Sequence, residues 1–247
     1  MVTLESKYDI FTRLGSGAIS TVYLVQNKAN GRYFAAKRAN SPDKLRYLQR
    51  EKDLFSSLHK NQGIVTFIES VEDVRAGFPY YNFANIFQYV GGEPLNDYLV
   101  NSDQKPLITF SPQEILWISQ QLVSGLLYLH ANGIIHGDLK PDNVMKNNLD
   151  IRIIDFSAAR RIGDSQKVSG SLSYGAPEQW DHGSSFETDY YSLGALLNSL
   201  AKGQRLGFLD VFNVTSRHDI SDKFKEGLSF LLNKNPSVRQ KGLGLIL

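Results

Sequence analysis

Strand-like segments dominate the first third of the chain. β-Branched and aromatic residues fill YDIFTRLGSG, STVYLVQNKANGRYFAAKRA and IVTFIESVED, and such residues favour pleated, half-buried strands. The Asn30-Gly31 dipeptide separates two apolar runs, which predicts a hairpin turn. Before the last of these segments, apolar residues recur at helical spacing from Leu45 to Leu58, and Ser41-Pro42 precedes them. This pattern predicts one helix among the strands.

The hydrophobic period becomes mainly helical after Gly91-Gly92. The segment SPQEILWISQQLVSGLLYLHANG begins with an N-cap serine and a proline, keeps a 3.6-residue period and ends at Asn132-Gly133. Further helices are predicted at ETDYYSLGALLNSLAKG and SDKFKEGLSFLLNK, and short strands at NVMKNNLDIRIIDFS. The chain therefore divides into a strand-rich part and a helix-rich part, with no internal repeat between them.

Composition narrows the function classes. The 247 residues are 42% hydrophobic and 21% charged, with a net charge of +2 and no long run of either sign. This balance gives no indication of a nucleic-acid partner. The absence of cysteine excludes disulfides, thiolate zinc sites and a cysteine nucleophile. The sequence shows no secretory signal and no apolar run that would span a bilayer, so we expect a cytoplasmic protein.

The first candidate chemistry is a glycine-rich turn, LGSGAISTVYLV, between two strand-like segments. Gly15 and Gly17 flank Ser16, and glycines let backbone N–H groups approach phosphate oxygens without a Cβ in the way. Gly-x-Gly hairpins are common, so this turn alone is a weak signal.

A lysine and a glutamate strengthen that signal. Lys37 lies at the end of the apolar strand FAAKR, and Glu51 lies on the helix that follows. Most lysines are simply solvated. A lysine held by a helix carboxylate, however, can remain charged in a cleft and bind the α- and β-phosphates of a nucleotide.

The segment IIHGDLKPDN carries the most information. Asp138 can accept the proton of an attacking hydroxyl, and Lys140 can neutralise charge on a transferred group. Asn143 can offer an oxygen to a hard divalent cation, as can Asp155 at the end of the strand IRIID. His136 is expected to pack beneath the loop rather than act as the base.

In this order, the motifs resemble those of a eukaryotic-type protein kinase domain over nearly the whole chain. The matching segments are the glycine-rich loop, the lysine–glutamate pair, HGDLKPDN, DFS, APE, TDYYSLG and NPSVRQ. The resemblance implies an α+β, bilobal fold in a single domain over residues 1–247. A small β-rich N-lobe (about 1–88), a hinge (about 88–92) and a larger α-helical C-lobe (about 93–247) would then enclose an ATP cleft.

The resemblance also implies a Ser/Thr protein kinase that uses ATP and Mg²⁺ to phosphorylate protein substrates. Lys37 and Glu51 would hold the α- and β-phosphates, Asp138 would orient the hydroxyl and Lys140 would steady the γ-phosphate. Asn143 and Asp155 would bind the metal ion. The implied nucleotide-binding residues are Gly15, Ser16, Gly17, Val22, Ala35, Lys37, Phe87, Gln88, Val90 and Met145.

Several structural contacts follow from the same resemblance. Glu178 should pair with Arg239, and Asp189 should hold the catalytic loop, HGDLKPDN, from below. The segment GSLSYGAPEQ resembles the protein-substrate platform of the family, in which Ser171 takes the hydroxyl position typical of Ser/Thr kinases. A stacked column that aligns the lobes of active kinases should comprise Phe55, Phe67, His136 and Phe156.

Three positions depart from the family pattern. Ser20 replaces the third glycine of the glycine-rich loop, and Ser157 replaces the glycine after Asp155-Phe156, which should make a flip of that pair harder. Gly137 replaces the arginine that in many kinases pairs with a phosphate on the activation loop. We therefore expect activity that does not wait for activation-loop phosphorylation. Any autophosphorylation between Asp155 and Glu178 should fall on serine, because that segment contains Ser165, Ser169, Ser171 and Ser173 but no threonine.

Two alternatives remain open. Small-molecule kinases of the aminoglycoside and choline type also favour an H-G-D loop, although Lys140, Ser171 and the Glu178–Arg239 pair favour a protein kinase. A nucleotide-binding pseudokinase or scaffold would be expected to have lost Lys37, Asp138 or Asp155, and all three are present. The oligomeric state and the identity of the substrate are not predicted.

Overall fold

The computed structural model describes residues 4–72, 83–101, 104, 106, 110–148, 150–164, 170–207 and 213–247. The chain divides into two compact units. The first comprises residues 1–61 and 65–90, and the second comprises residues 62–64 and 91–247. The second unit thus resumes at Gly91, where the hydrophobic pattern of the sequence changes.

The first unit contains a five-stranded antiparallel sheet in the order β1-β2-β3-β5-β4. Its elements are α1 (Leu4–Lys7), β1 (Tyr8–Ser16), β2 (Ser20–Asn27), β3 (Tyr33–Ala39), α2 (Leu45–Phe55), β4 (Phe67–Glu72) and β5 (Phe83–Gln88). The predicted turn at Asn30-Gly31 is confirmed, with Gly31 at φ 68° between β2 and β3. One face of the sheet packs on α1, in a core that includes Tyr8, Phe34 and Ile86.

Helix α2 places a carboxylate on a buried face. A 3₁₀ turn, Pro42–Lys44, follows Ser41 and leads into the helix. Leu48, Glu51 and Leu54 are buried at a spacing of three residues, so they share one side of the helix. Glu51 is therefore buried among apolar residues, and such a carboxylate requires a partner.

The second unit is mainly helical, as predicted. Its helices are α3 (Pro112–Ala131), α4 (Gln179–His182), α5 (Phe186–Lys202), α6 (Asp222–Leu231) and α7 (Gln240–Ile246). Its short strands are β6 (Glu93–Pro94), β7 (Ile134–Ile135), β8 (Val144–Lys146), β9 (Ile151–Ile153) and β10 (Arg160–Arg161). The predicted start of α3 is confirmed by a capping box between Ser111 and Glu114, and its predicted end by Gly133 at φ 70°.

Helix α5 lies at the centre of this unit. Every residue from Thr188 to Ala201 is buried, which is the pattern of a helix surrounded by protein. Close packing requires Gly194, because a Cβ there would lie 2.6 Å from the Leu231 side chain on α6. Within the described ranges, no helix is both long and apolar enough to cross a membrane.

The five-stranded sheet and the helical second unit confirm the predicted α+β fold class. The predicted lobe boundaries and hinge stay predictions.

Candidate active site

In the first unit, Lys37 and Glu51 form a buried ion pair. Lys37 lies on β3 between Val22 of β2 and Asn85 of β5 in the sheet register. Its Nζ lies 2.6 Å from Oε1 of Glu51, and the two side chains are 5% and 1% exposed. Because each charge neutralises the other, the pair can be buried away from water.

Asn85 fixes this pair, although no sequence motif indicated it. Its Nδ2 donates to Oε2 of Glu51 at 3.0 Å and to the Leu48 carbonyl at 2.9 Å, while its Oδ1 accepts from Ser70 at 2.7 Å. Both carboxylate oxygens of Glu51 are therefore held. In the sequence, the feature that could have indicated Asn85 is its position as a polar residue at the centre of the apolar strand FANIFQ.

The glycine-rich turn joins β1 to β2. The Gly17 N–H donates to the Ser20 carbonyl at 2.9 Å, and Ser16 Oγ lies 3.0 Å from Thr21 Oγ1. Asn40, also missed, donates to the Gly17 carbonyl at 2.6 Å and accepts from Thr21 at 2.7 Å. The turn is thus held by neutral hydrogen bonds.

The other predicted nucleotide-binding residues fall on both units. Ala35 of β3 pairs with Phe87 of β5, and the Phe87 ring packs against the rings of Phe55 and Phe67 at centroid distances of 5.3 and 5.6 Å. Gln88 ends β5, with its N–H donating to the Thr66 carbonyl at 2.8 Å. Val22 and Val90 also belong to the first unit, whereas Met145 lies on β8 of the second unit.

In the second unit, Asp189 supports the catalytic loop as predicted. Its carboxylate accepts hydrogen bonds at 2.9 Å from the N–H groups of His136 and Gly137, and at the same distance from His130 Nε2. Burial alone would raise the pKa of Asp189, but hydrogen bonding and charge from His130, together with the Gly137 N–H, hold it below its ordinary value. Asp189 is therefore an ionised anchor.

Gly137 has a conformational reason to be glycine. Its φ is 77°, and a Cβ there would lie 3.0 Å from the Ala158 carbonyl oxygen. Both features disfavour a side chain, so glycine relaxes the loop at the position where many kinases carry arginine.

His136 serves the loop structurally. The ring is fully buried, and its Nδ1 accepts from the Asp138 N–H at 3.3 Å while Nε2 lies 3.3 Å from the Ile154 carbonyl. It also meets the Phe156 ring edge-on at 5.0 Å. Because both ring nitrogens have protein partners, the expectation that His136 packs beneath the loop is confirmed.

Asp138 contacts the side chains of both Lys140 and Asn143. Lys140 Nζ lies 2.8 Å from Asp138 Oδ2 and donates to Ser171 Oγ at 2.8 Å. Asn143 Nδ2 donates to the Asp138 carbonyl at 2.8 Å and to Oδ2 at 3.2 Å. The other carboxylate oxygen, Asp138 Oδ1, is buried and has no hydrogen-bond partner among the described residues. It is the atom that can accept a proton from a bound hydroxyl.

Asp155 lies beside this group. The Ile154 N–H donates to the Asn143 carbonyl at 2.8 Å, which places Asp155 next to Asn143. Asp155 has φ 58°, a conformation that few side-chain residues adopt. Its Oδ1 accepts from the Ser157 N–H at 3.1 Å and from Ser157 Oγ at 2.6 Å.

Asn143 and Asp155 fit Mg²⁺, because carboxylate and amide oxygens are its preferred protein ligands. The described residues contain no cluster of three or more His, Cys, Asp or Glu side chains that could hold a metal by itself. A two-residue oxygen site suits Mg²⁺ bound together with nucleotide phosphates.

The segment that precedes Glu178 forms a compact turn. The N–H groups of Tyr174 and Gly175 both donate to the Ser171 carbonyl, at 3.1 and 2.7 Å. The predicted Glu178–Arg239 pair is confirmed: it is bidentate, with N–O distances of 2.5 and 3.0 Å. The predicted autophosphorylation positions Ser165 and Ser169 lie outside the described residues.

Comparisons with known proteins agree with this geometry. The protein kinase domain family matches residues 8–241. This chain belongs to that family. Smooth muscle myosin light chain kinase of Gallus gallus is 29% identical over 255 residues, which cover 94% of this kinase domain and 13% of that protein. Serine/threonine-protein kinase PrkC of Bacillus subtilis is 30% identical over 214 residues, covering 81% of this kinase domain and 31% of PrkC.

Serine/threonine-protein kinase cds1 of Schizosaccharomyces pombe is 30% identical over 220 residues, which cover 78% of this kinase domain and 44% of cds1. The kinase domain thus spans less than half the length of each of these three relatives. Membership in the family favours a protein kinase over a small-molecule phosphotransferase of the aminoglycoside type.

Proposed function

We propose that this kinase domain transfers the γ-phosphoryl group of Mg·ATP to serine or threonine hydroxyls of protein substrates. The observation that carries the proposal is the position of Asp138. One carboxylate oxygen is held by Lys140 and Asn143, and the other is buried without a described partner. A carboxylate fixed on one side and open on the other can orient a hydroxyl and accept its proton.

Asp138 orients the substrate hydroxyl and takes its proton as the oxygen attacks the γ-phosphorus, and ADP leaves. Lys140 contacts both Asp138 and Ser171, so it can neutralise charge between the base and the protein-substrate platform. By resemblance, the hydroxyl at Ser171 is typical of Ser/Thr kinases, which supports the choice of Ser/Thr substrates.

The nucleotide-binding roles follow the resemblance to protein kinases. Lys37, fixed by Glu51, binds the α- and β-phosphates as a positioned charge. Asn143 and Asp155 hold Mg²⁺, which when bound offsets the negative charge of the phosphates. By the same resemblance, Gly15, Ser16 and Gly17 are assigned to the phosphates, and Val22, Ala35, Phe87, Gln88, Val90 and Met145 are assigned to the adenine.

The experiment uses the purified domain, Mg·ATP labelled on the γ-phosphate, and an array of serine, threonine and tyrosine peptides. We expect label on serine or threonine peptides and a rise in melting temperature with Mg·ATP. Nucleotide-dependent stabilisation without any transfer would instead indicate a pseudokinase, and transfer only to small molecules would reject the protein-kinase assignment.

We further propose that activity does not require activation-loop phosphorylation. Gly137 supplies no guanidinium for a loop phosphate, and Lys37–Glu51 and Asp138–Lys140 are already paired in the unmodified chain. After phosphatase treatment confirmed by mass spectrometry, the initial rate should stay within about twofold of the untreated rate, because a loop phosphate lacks its usual arginine partner at position 137. A loss of tenfold or more, recovered by autophosphorylation, would contradict this. Sites that reappear between Asp155 and Glu178 should be serines.

Ser157 should tune the metal site. Ser157→Ala removes the 2.6 Å hydrogen bond to Asp155 Oδ1 and keeps the backbone bond at 3.1 Å. Since partners of metal ligands typically contribute about 10–100-fold to metal affinity, we expect the Mg²⁺ concentration for half-maximal stabilisation by a non-hydrolysable ATP analogue to rise roughly tenfold. Thermal melting across a Mg²⁺ titration measures it.

The control for Ser157 is Ser229→Ala, on the exposed face of α6. It should leave the Mg²⁺ titration unchanged. If Ser157→Ala also titrates like the unmodified domain, the hydroxyl does not position Asp155.

A further inference from the structure

Gln179 is a buried polar residue to which the family motifs assign no role. It begins α4, directly after Glu178, and is only 1% exposed. Its Nε2 donates a hydrogen bond to the Gly137 carbonyl oxygen at 2.9 Å, across 42 residues of sequence. A buried amide thus reaches from the end of the substrate platform to the catalytic loop.

This hydrogen bond completes the restraint of Gly137. Its N–H donates to Asp189 at 2.9 Å, and its carbonyl accepts from Gln179. A glycine at φ 77° is intrinsically free to take many other conformations. Holding the polar groups on both sides of that residue selects one conformation, and Asp138 is the next residue along the chain.

The platform segment packs directly on the same amide. A Cβ at Gly170 would lie 2.9 Å from the Gly137 carbonyl and 3.0 Å from Gln179 Nε2. A Cβ at Gly175 would lie 3.3 Å from the Trp180 ring and 3.6 Å from Gln179 Oε1. Glycines therefore let both ends of the segment approach Gln179, and Ser171 between them receives the hydrogen bond from Lys140.

The contact is electrically neutral. An amide donating to a carbonyl requires no phosphate and no ionised partner, so it forms in the unmodified chain. It also requires a donor at this position, because the Gly137 carbonyl can only accept. A buried carbonyl that loses its donor is costly, which makes the link sensitive to the chemistry of residue 179.

We propose that Gln179 is a positioning residue that locks the substrate platform to the catalytic loop without phosphorylation. The effect on catalysis rests on the proposed kinase function. The lock itself is a property of the fold and can be measured without turnover.

The test compares Gln179→Leu and Gln179→Glu with the unmodified domain, using Gln120→Glu as a matched control on the exposed face of α3. Gln179→Leu should lower kcat by roughly 10–100-fold, the factor that a lost buried hydrogen bond implies. The KM for ATP should change little, since Gln179 is not assigned to nucleotide binding.

Gln179→Glu distinguishes loss of the hydrogen bond to the Gly137 carbonyl from general destabilisation of the fold. An ionised glutamate cannot donate to the Gly137 carbonyl, whereas the protonated acid can, and burial raises the pKa of such a carboxyl toward the assay range. The activity of this variant relative to the unmodified domain should therefore increase as the pH falls from about 8.5 to 6, while the ratio for Gln120→Glu stays flat. Activity of Gln179→Leu within twofold of the unmodified domain, or a flat pH ratio for Gln179→Glu, would overturn the proposal.

Hydrogen–deuterium exchange distinguishes failure of the lock from failure of the kinase function. Exchange of the amides from Gly170 to Gly175 and from His136 to Asp138 should increase in Gln179→Leu, and exchange of the amides of β1 to β3 in the first unit should be unaffected. If the unmodified domain transfers no phosphate but these amides still respond, the kinase function fails and the lock stands. Unchanged exchange in both segments rejects the lock, whatever the activity.

Discussion

Substitution of Asp138 by asparagine is expected to lower phosphotransfer at least about a hundredfold, the lower end of the usual contribution of a positioned acid or base. Asparagine has nearly the same shape, and its oxygen can keep the contacts of Oδ2 with Lys140 and Asn143. It cannot accept the hydroxyl proton. The effect should appear in kcat, measured by single-turnover transfer to a serine peptide.

Nucleotide binding and folding should survive this change. The melting temperature of Asp138→Asn and its shift with Mg·ATP should stay within a few degrees of those of the unmodified domain. Asp142→Asn is the matched control, because Asp142 lies nearby in the 3₁₀ turn Pro141–Asn143 but is exposed. It should keep most of its activity. If Asp138→Asn retains more than a tenth of the original rate, Asp138 is not the proton acceptor.

Local sequence spacing was enough to predict most of the catalytic loop. Asp138, Lys140 and Asn143 lie within six residues of each other, so one turn of backbone brings them together in any compact loop. The limits of α3 were predictable for the same reason, since Ser111 and Gly133 act on the backbone groups closest to them. Interactions between residues close in sequence depend on the backbone conformation of only a few residues.

Contacts between distant segments were predictable only where a known family supplied them. The Lys37–Glu51 and Glu178–Arg239 pairs span 14 and 61 residues, and residue types alone do not select one partner among many charges. Asn85 and Gln179 were missed because each bridges segments more than 30 residues apart with a neutral amide. Their function depends on exact placement, which hydrophobic periodicity does not encode.

Ser157 is another residue whose contact could not be predicted from the sequence, although its partner is only two residues away. The sequence identifies the loss of glycine after Phe156 and predicts a stiffer backbone. It does not indicate that the new hydroxyl turns toward Asp155, two residues earlier. The direction of a side chain is set by the fold around it, and here φ 58° at Asp155 brings its carboxylate within reach.

Loss of Arg239 is expected to destabilise the second unit strongly. The side chain is fully buried, and its guanidinium donates to both carboxylate oxygens of Glu178 and to the carbonyls of Glu187 and Asn233. It also lies 4.9 Å from the centroid of the Tyr191 ring. Arg239→Met leaves a carboxylate without its counter-ion, and breaking such a pair typically costs about 3–5 kcal/mol.

Urea unfolding should show this loss of free energy, and the melting temperature should fall by on the order of 10 °C for a chain of this size. Arg13→Met, an exposed substitution on β1, should stay within about 0.5 kcal/mol of the unmodified domain. Adding Glu178→Gln to Arg239→Met should recover part of the loss, because it removes the uncompensated charge. A decrease below about 1 kcal/mol for Arg239→Met alone would contradict the assignment of a buried ion pair.

The Glu178–Arg239 pair should also determine the position of the Gln179 side chain. Glu178 directly precedes Gln179, so the bidentate contact with Arg239 fixes the backbone from which the glutamine donates to the Gly137 carbonyl. In Arg239→Met assayed well below its melting temperature, we therefore expect faster exchange of the Gly170–Gly175 amides and a lower kcat, as in Gln179→Leu. Normal exchange there, despite the lost stability, would mean that Gln179 is held independently of Arg239.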